Sequence, residues 1–358
     1  MRHHVTVIAE AGVNHNGQMD LALALIDAAA EAGADLVKFQ TFRADALAMA
    51  SAPKAAYQDR QIGEATSQHA MLKALELPYD WHHALQDHAA ARGIGFISTA
   101  FDLQSLGFLN SLNLPLYKIP SGEITNGPLL WQFARSGKPL VLSTGMATLA
   151  EVEEALAVIA HALTEDAEPT SREAVWRAAA HPLAREALAR RVTLLHCTSQ
   201  YPTPMAEVNL RGMATLAAAF GLPVGYSDHT EGIHVPTAAV ALGAVVIEKH
   251  LTTDRSLPGP DHAASLEPGE FAAMVRAIRA VSEAMGPGGK GPQPSEWNTR
   301  AAARQRLVAA RAVPAGARLT RADLTTARGA SGVPAMELWS WIGRLAPRDL
   351  APGDGIVP

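Results

Sequence analysis

The sequence predicts an α/β protein in which a (β/α)8 TIM barrel is followed by a small β-rich domain. Two observations support this prediction. Eight short apolar runs, typical of buried strands, alternate with longer Ala- and Leu-rich segments over residues 1–285. Polar and ionisable residues follow these runs one after another, as expected at the end of a barrel that carries catalysis. A chain of 358 residues is long enough for both domains.

The strands and helices of the barrel are predicted in alternation. The strands are Val5–Ala9, Asp35–Gln40, Gly95–Thr99, Leu116–Pro120, Pro139–Thr144, Val192–Cys197, Pro223–Ser227 and Val245–Lys249. Amphipathic segments with i, i+3, i+4 spacing lie between them and include Met19–Ala32, Trp81–Ala91, Leu149–Leu163 and Arg211–Ala219. The segment Glu165–Arg191 is charged and Ala-rich, and we interpret it as additional helix.

A Gly- and Pro-rich stretch begins at Gly286 and indicates a linker, which we assign to residues 286–304. Residues 305–358 contain short β-like runs and turn sequences, and they predict a compact β-rich domain. Trp339 and Trp341 are interpreted as core residues of this domain.

Composition and charge exclude several classes of protein. The net charge is −5 without a basic stripe, so nucleic acid is not expected as a partner. No apolar run reaches the ~18 residues of a membrane span, and the N-terminus does not resemble a signal peptide, so a cytoplasmic location is expected. Cys197 is the only cysteine, which excludes an intrachain disulfide and a cysteine-based zinc cluster.

Two histidines end the seventh and eighth predicted strands. His229 follows Ser-Asp and His250 follows Glu-Lys. Imidazole nitrogens suit Mn, Fe, Co or Zn, and water and substrate oxygens would complete the coordination. The pattern therefore predicts a divalent metal, with Glu10 as a further contributor through a water. The alternative is that each histidine is a hydrogen-bonded core residue.

Two lysines also lie at predicted strand ends. Lys38 and Lys118 would be costly to bury without an anion. Together with nearby hydroxyl groups they predict a cradle for phosphate and carboxylate. The hydroxyl-bearing residues are Ser121, Ser143 and Ser227. Internal salt bridges to Glu123 or Glu248 are the structural alternative, and a Schiff-base aldolase is an alternative chemistry.

The loop 258–262 follows the last predicted strand and contains two prolines around a glycine. This composition predicts a rigid turn that holds Asp261 at its tip, where the carboxylate can accept hydrogen bonds from sugar hydroxyls. Helix capping by Asp261 is the alternative.

Nine motifs that contain these residues occur in order along the chain. They cover residues 8–17, 37–41, 97–102, 117–123, 142–146, 196–204, 225–230, 248–250 and 258–261. With them the sequence closely resembles the bacterial sialic acid synthases, including the legionaminic acid synthases, which condense phosphoenolpyruvate with an N-acetylated hexose. The tail segments 326–333 and 342–350 resemble the antifreeze-like (SAF) module that ends these enzymes.

The resemblance implies an N-acetylneuraminate synthase. Such an enzyme joins phosphoenolpyruvate, open-chain N-acetylmannosamine and water, and it releases phosphate. A divalent metal on His229 and His250, most often Mn²⁺ with Mg²⁺ or Co²⁺ as alternatives, polarises the aldehyde, and Glu10 serves as general acid/base. The residues implied to hold phosphoenolpyruvate are Lys38, Thr99, Lys118, Ser121, Ser143, Ser199 and Ser227, with Glu248 as a network partner. The residues implied to face the sugar are Gln40, Glu123, Tyr201, Asp261 and Arg328.

The resemblance also implies a domain-swapped homodimer, in which Arg328 in the tail of one chain reaches the sugar N-acetyl group at the site of the other. Three departures from the family pattern stand out. The Arg-Pro-Gly of the tail is Arg-Gly-Ala here, Ser199 replaces the Asn or Thr of many members, and Glu165–Arg191 is longer than expected.

Two alternative functions stay open. The first is a legionaminic or related nonulosonic acid synthase that uses a 2,4-diacetamido-6-deoxy hexose, because such enzymes share these motifs. The Pro-Gly-Pro-Asp loop and the Ser-Gly-Glu motif favour the sialic and legionaminic branch over the pseudaminic one. The second is a non-enzymatic carbohydrate- or ice-binding protein, which would not need His229 or Lys38.

Overall fold

Eight parallel strands form a nearly closed barrel in the computed structural model, which describes residues 4–55, 58–59 and 67–358. The strands are β1 (Thr6–Gly12), β2 (Leu36–Thr41), β3 (Gly95–Ala100), β4 (Tyr117–Ile119), β5 (Leu140–Ser143), β6 (Val192–Cys197), β7 (Val224–Asp228) and β8 (Val246–His250). Their hydrogen-bonded order is β3-β2-β1-β8-β7-β6-β5-β4. The predicted TIM-like barrel is therefore confirmed.

Helices connect the strands in the order expected for repeated βα units. They are α1 (Met19–Glu31), α2 (Ala44–Leu47), α3 (Gln68–Ala74), α4 (Trp81–Ala91), α5 (Leu103–Asn110), α6 (Gly127–Arg135), α7 (Leu149–Thr164), α8 (Arg172–Ala179), α9 (Pro182–Arg191), α10 (Gly212–Phe220), α11 (His234–Ala241) and α12 (Pro268–Ala284). A capping box of Thr148 and Glu151 begins α7, and Gly33, at a φ of 82°, follows α1 where a left-handed residue ends a helix. The additional segment after α7 forms α8 and α9, as predicted.

The inside of the barrel consists of two successive layers. The lower layer is apolar and contains Ile8, Leu36, Ile97, Leu116, Val141, Leu195 and Val246. Side chains two residues apart share a face of a strand, so the next inward position on each strand forms the upper layer. Its residues are Glu10, Lys38, Thr99, Lys118, Ser143, Cys197, Ser227 and Glu248. The apolar layer thus closes the barrel beneath a ring of largely polar side chains.

The chain divides into two units, Met1–Pro287 and Gly288–Pro358. The second unit contains α13 (Trp297–Ala303), the antiparallel strands β9 (Arg306–Ala309) and β10 (Leu324–Ala327), and α14 (Leu338–Trp341). The stretch predicted as a linker therefore includes a short helix. Among the residues that the structure describes, no helix combines the length and the apolar character that crossing a bilayer requires.

The two tryptophans of α14 have different surroundings. Trp341 is buried in a core with Leu307, Leu324 and Ile356, as predicted. The prediction is wrong for Trp339, which is 70% exposed. Successive residues of a helix turn by about 100°, so side chains two apart lie on opposite sides, and a short amphipathic helix can bury only one of them.

Candidate active site

A cavity of about 450 Å³ lies at the carboxyl ends of the barrel strands. Thirteen of the sequence-predicted residues line it: Glu10, Lys38, Gln40, Lys118, Ser121, Ser143, Ser199, Tyr201, Ser227, His229, Glu248, His250 and Asp261. Three others do not. Thr99 is fully buried, Glu123 binds the Asn126 side chain at 2.7 Å in the turn after β4, and Arg328 is an exposed residue of the second unit.

Two buried lysines and two buried glutamates form the floor of the cavity. Lys38 Nζ lies 2.6 Å from Glu10 Oε2 and 3.7 Å from Glu248 Oε2, and Lys118 Nζ lies 3.4 Å from Glu248 Oε1. Ser227 Oγ donates to Glu248 Oε1 at 2.9 Å. Glu248, and not Glu123, is therefore the internal partner of both lysines. The salt-bridge alternative is therefore confirmed for Glu248, and both lysines also line the cavity.

The pKa values of the two glutamates of the floor are shifted in opposite directions. Burial alone would raise the pKa of Glu248, but Lys118 and Lys38 outweigh burial and lower it to about 2. Burial raises the pKa of Glu10, and the charge of Glu248 adds to this effect against the opposing charge of Lys38. Glu248 is thus a permanent anion, whereas Glu10 is the carboxyl group suited to take up and release a proton.

His229 and His250 come together at the ends of β7 and β8, with ring centroids 5.5 Å apart. His229 Nδ1 lies 2.7 Å from the carbonyl oxygen of Thr198, so this nitrogen donates. Nε2 keeps a free lone pair, because Ser227 Oγ, 3.5 Å away, donates its proton to Glu248. His250 Nδ1 is buried, and it has no hydrogen-bond partner in the described part of the chain. Burial lowers the pKa of His229 to about 4 and that of His250 well below its ordinary value. Both rings are therefore neutral.

Two neutral imidazoles with free lone pairs fit a divalent metal ion. In the part of the chain that the structure describes, no group of three or more His, Cys, Asp or Glu side chains is arranged as a complete metal site. The protein would thus supply two ligands and leave positions open for water and substrate.

Hydroxyl groups and a backbone amide surround a small space beside the lysines. Gly145 N donates to Ser121 Oγ at 2.9 Å. A Cβ atom on Gly145 would lie 2.4 Å from Ser199 Oγ and 2.8 Å from Ser121 Oγ, so a larger residue would force both hydroxyl groups to move. Among the residues that the structure describes, none forms a hydrogen bond with the buried Ser143 Oγ. The space has the donors that a phosphate or carboxylate requires.

Asp261 does not lie at an exposed loop tip. It is buried in the cavity wall, its Oδ2 is 3.9 Å from His250 Nδ1, and its side chain makes no helix-capping hydrogen bond. Burial, reinforced by the charge of Glu10, raises the pKa of Asp261 to about 7. The loop folds inward, so Asp261 lines the cavity, and the helix-capping alternative is wrong.

The loop that follows β1 holds the loop that contains Asp261 in place. Asn14 Nδ2 donates to Ser265 Oγ at 3.0 Å, and Ser265 Oγ donates to the backbone oxygen of Asp261 at 2.7 Å. Asn16 Nδ2 donates to the carbonyl oxygen of Pro258 at 2.9 Å. These hydrogen bonds between the two loops hold Asp261 beside His250.

Sequence reasoning missed two parts of the cavity. Cys197 lies in the polar layer, 3.2 Å from Ser121 Oγ, and strand alternation from Leu195 would have found it. An apolar wall, formed by the connection between β2 and β3 and its neighbours, lines the cavity above the floor. Its residues are Val13, Leu47, Met71, Leu72, Leu75 and Phe101.

Comparison with known proteins agrees with this geometry. Residues 25–290 match the NeuB family and residues 304–358 match the SAF domain. The chain belongs to the NeuB family. This NeuB-family chain is a phosphoenolpyruvate-dependent nonulosonate synthase, and enzymes of the family are metal-dependent. The alternative of a non-enzymatic binding protein is wrong.

Three relatives illustrate the similarity. The chain is 45% identical to the N,N'-diacetyllegionaminic acid synthase of Campylobacter jejuni, over 96% of each protein. It is also 45% identical to the N,N'-diacetyllegionaminic acid synthase of Legionella pneumophila, over 98% of this chain and 93% of that protein. The crystal structure of the N-acetylneuraminic acid synthetase of Leptospira borgpetersenii is 33% identical, with a TM-score of 0.67 over 83% of this chain and 90% of that chain.

Proposed function

We propose that this NeuB-family enzyme is a legionaminic-type synthase, which condenses phosphoenolpyruvate with the open-chain form of a 2,4-diacetamido-6-deoxy hexose. The observation that carries the choice of sugar is the 45% identity, over nearly the whole chain, to two legionaminic acid synthases. The N-acetylneuraminic acid synthetase compared above is 33% identical. The alternative drawn from the sequence is thus better supported than N-acetylmannosamine.

The apolar wall supports the same sugar. A 6-deoxy hexose has a methyl group where N-acetylmannosamine has a hydroxymethyl group, and a second acetamido group adds a further methyl. The aldehyde carbon must reach the polar floor, where phosphoenolpyruvate is held, so the far end of the sugar meets the wall. Leu47, Leu72 and Phe101 are the partly exposed members of the wall, and an apolar pocket favours a methyl over a hydroxyl group there.

Phosphoenolpyruvate brings a phosphate and a carboxylate, and we assign both to the floor. Lys38 and Lys118 supply the positive charge. The hydrogen-bond donors are assigned to Ser121, Ser143, Ser199 and Ser227. Thr99 is assigned to holding Lys38, because its buried Oγ1 accepts from Lys38 Nζ at 3.4 Å. When Glu10 is ionised, the two glutamates balance the charges of the two lysines. When Glu10 is protonated, the floor has a net positive charge, which suits this anion.

His229 and His250 would hold the divalent metal, with Mn²⁺ preferred to Mg²⁺ because imidazole nitrogen is a poor ligand for the hardest cations, and with Co²⁺ as an alternative. When bound there, the metal would supply Lewis-acid polarisation of the sugar aldehyde. The backbone oxygen of Thr198 fixes the ring of His229 for this purpose.

Glu10 is assigned the proton transfers. Carbon 3 of phosphoenolpyruvate forms a bond to the aldehyde carbon, water adds at carbon 2, and the bond from carbon 2 to the phosphate oxygen then breaks. The aldehyde oxygen gains one proton and the adding water gives one up, so a single carboxyl group can serve both transfers without net change. The proton that remains on the carbon 2 hydroxyl passes to the departing phosphate as that hydroxyl becomes the ketone oxygen. Gln40 Nε2 donates to Glu10 Oε1 at 2.9 Å and orients it, while Glu10 Oε2 faces Lys38.

The remaining sugar contacts are assigned to Gln40, Tyr201 and Asp261, which line the cavity. Glu123 and Arg328 are assigned to the sugar through the family resemblance. We also propose that two chains exchange their SAF domains, so that Arg328 of one chain serves the cavity of the other.

Phosphate release tests this function. The purified enzyme is incubated with phosphoenolpyruvate and Mn²⁺, and with either the 2,4-diacetamido-6-deoxy hexose or N-acetylmannosamine. We expect sugar-dependent release with kcat/KM at least ~10-fold higher for the diacetamido sugar. A preference for N-acetylmannosamine would contradict the choice of sugar. No sugar-dependent release with either hexose would contradict the synthase function.

A further inference from the structure

A fully buried ion pair lies outside the cavity, directly behind the two histidines. Lys249 Nζ is 2.6 Å from Asp228 Oδ2, and both side chains are 0% exposed. The two residues are register partners on β8 and β7. Their inward-facing neighbours Ser227 and Glu248 line the cavity, so Asp228 and Lys249 point to the opposite face of the sheet. The assigned reaction does not use either group.

The pair also fixes the backbone beyond β7. Lys249 Nζ donates to the backbone oxygen of Thr230. The backbone nitrogen of Thr230 donates to Asp228 Oδ1 at 3.1 Å, and Thr230 Oγ1 donates to the same oxygen at 2.9 Å. His229 thus lies between Asp228 and Thr230, which are hydrogen-bonded to each other and to Lys249 on β8.

Stability does not account for such a pair. Removing an ammonium and a carboxylate from water is costly, and apolar residues of similar volume often replace a buried ion pair with no loss of stability. A buried pair can instead fix the register between the segments that carry it, as it does in some proteins. Here the register matters, because Asp228 precedes His229 and Lys249 precedes His250.

We infer that Asp228 and Lys249 are positioning residues that set the separation of the His229 and His250 rings, and so determine the affinity for the divalent metal. The inference rests on the proposed function insofar as it takes these histidines as the metal ligands. A metal held by only two protein ligands depends strongly on their relative placement, since no third side chain corrects an error in it.

The double variant Asp228→Asn/Lys249→Met tests the inference, because it removes both charges and keeps the volumes similar. Binding of Mn²⁺ to the metal-free full-length protein is measured by calorimetry, and stability by thermal unfolding in EDTA. We expect the dissociation constant for Mn²⁺ to rise ~10- to 100-fold. We also expect excess Mn²⁺ to restore much of the activity at a temperature where the variant is folded in EDTA, so that the recovery does not reflect stabilisation of the fold.

The matched control is Asp35→Asn. Asp35 accepts hydrogen bonds from Val7 N and Arg279 Nη2, both at 2.7 Å, and it precedes β2 at the opposite end of the barrel. This variant should lose stability without losing affinity for Mn²⁺. If the double variant does not fold, Thr230→Val keeps the ion pair but removes one hydroxyl contact, and it should still weaken Mn²⁺ binding ~3-fold or more.

Two outcomes would overturn the inference and are distinguishable. In the first, the wild type binds Mn²⁺ and His250→Ala abolishes binding, but the folded double variant binds Mn²⁺ with wild-type affinity. This result, or the same result with Thr230→Val if the double variant does not fold, would overturn this inference alone. If His250→Ala leaves Mn²⁺ binding unchanged, the metal assignment in the proposed function is overturned and the positioning role with it.

Discussion

Glu10 and Lys38 are register partners on β1 and β2, and their side chains form a buried ion pair of 2.6 Å over the floor of the barrel. An anionic substrate that binds Lys38 competes with Glu10 for the same ammonium group. Substrate binding would thereby remove the main charge that opposes protonation of Glu10. In the proposed reaction, the arrival of phosphoenolpyruvate would therefore prepare Glu10 to donate a proton.

We therefore expect Glu10→Gln to lower kcat ~10²- to 10⁴-fold, because the amide keeps the shape of the carboxyl group but cannot transfer a proton. KM for phosphoenolpyruvate should not rise, since Lys38 and Lys118 are retained and the neutral amide no longer competes with the substrate for Lys38. Steady-state kinetics of phosphate release measures both constants. Glu76→Gln is the control, because Glu76 pairs with Arg43 outside the cavity lining. A variant with kcat close to that of the wild type would exclude Glu10 as the proton donor.

Gly145→Ala should raise KM for phosphoenolpyruvate ~10-fold or more. The added Cβ atom would lie 2.4 Å from Ser199 Oγ, and overpacking of this kind costs ~1–3 kcal/mol. The serines must then move from the positions in which we assign them to the anion. Gly107→Ala is the control, because nothing lies within 4 Å of a Cβ atom at that position. An unchanged KM for phosphoenolpyruvate would contradict the proposed cradle.

The sequence predicted the barrel and most of its polar ring because both depend on short-range patterns. Lys38 and Lys118 each lie two residues beyond an apolar residue of the lower layer, so strand alternation directs them into the cavity. The same alternation directs Asp228 and Lys249 outward. Their strand-end positions alone do not distinguish them from the histidines, and their pairing depends on the register between β7 and β8.

The apolar wall and the burial of Asp261 were not predicted from the sequence, because both depend on long-range packing. The apolar wall depends on how the connection between β2 and β3 returns to the mouth of the barrel, and no strand or helix period encodes that path. Asp261 is buried because Asn14 and Asn16, more than 200 positions earlier, hold its loop. A glycine and two prolines indicate a turn but do not indicate which surface the turn packs on.

Leu72→Gln should reduce the preference for the 6-deoxy sugar. Leu72 is a half-buried member of the apolar wall, and the loss of one apolar contact with a methyl group costs ~1–3 kcal/mol. We expect kcat/KM for the diacetamido sugar to fall ~10-fold and that for N-acetylmannosamine to fall less. Leu242→Gln is the control, because Leu242 is 59% exposed and does not line the cavity. Equal losses with the two sugars would contradict a role of the wall in specificity.

Acidification should destabilise the metal-free protein. Burial lowers the pKa of His82 and of His15 to about 4, from an ordinary 6.5. The unfolded chain therefore binds protons at a pH where the folded protein keeps these rings neutral. Their contribution to stability is complete above pH 6.5 and is lost as the pH falls to about 4, at ~1.4 kcal/mol per pH unit for each ring.

Urea unfolding in EDTA at several pH values between 7 and 4 measures this dependence. His82→Gln should make the free energy of unfolding fall less steeply with acidification, because one ring no longer has to remain neutral. His83→Gln is the matched control, since His83 is exposed on the same helix. Equal slopes for the wild type and His82→Gln would contradict the assignment of the acid sensitivity to this buried ring.

The proposed exchange of SAF domains predicts complementation between two inactive variants. Arg328→Ala lacks the guanidinium assigned to the sugar, and His250→Ala lacks a residue assigned to the metal. A mixed dimer places the intact tail of the His250→Ala chain over the intact barrel of the Arg328→Ala chain, so one of its two cavities is complete. Random mixing makes about half of the dimers mixed, so we expect about a quarter of wild-type activity. If mixed dimers are isolated through two different affinity tags and are inactive, Arg328 does not act on the cavity of the other chain.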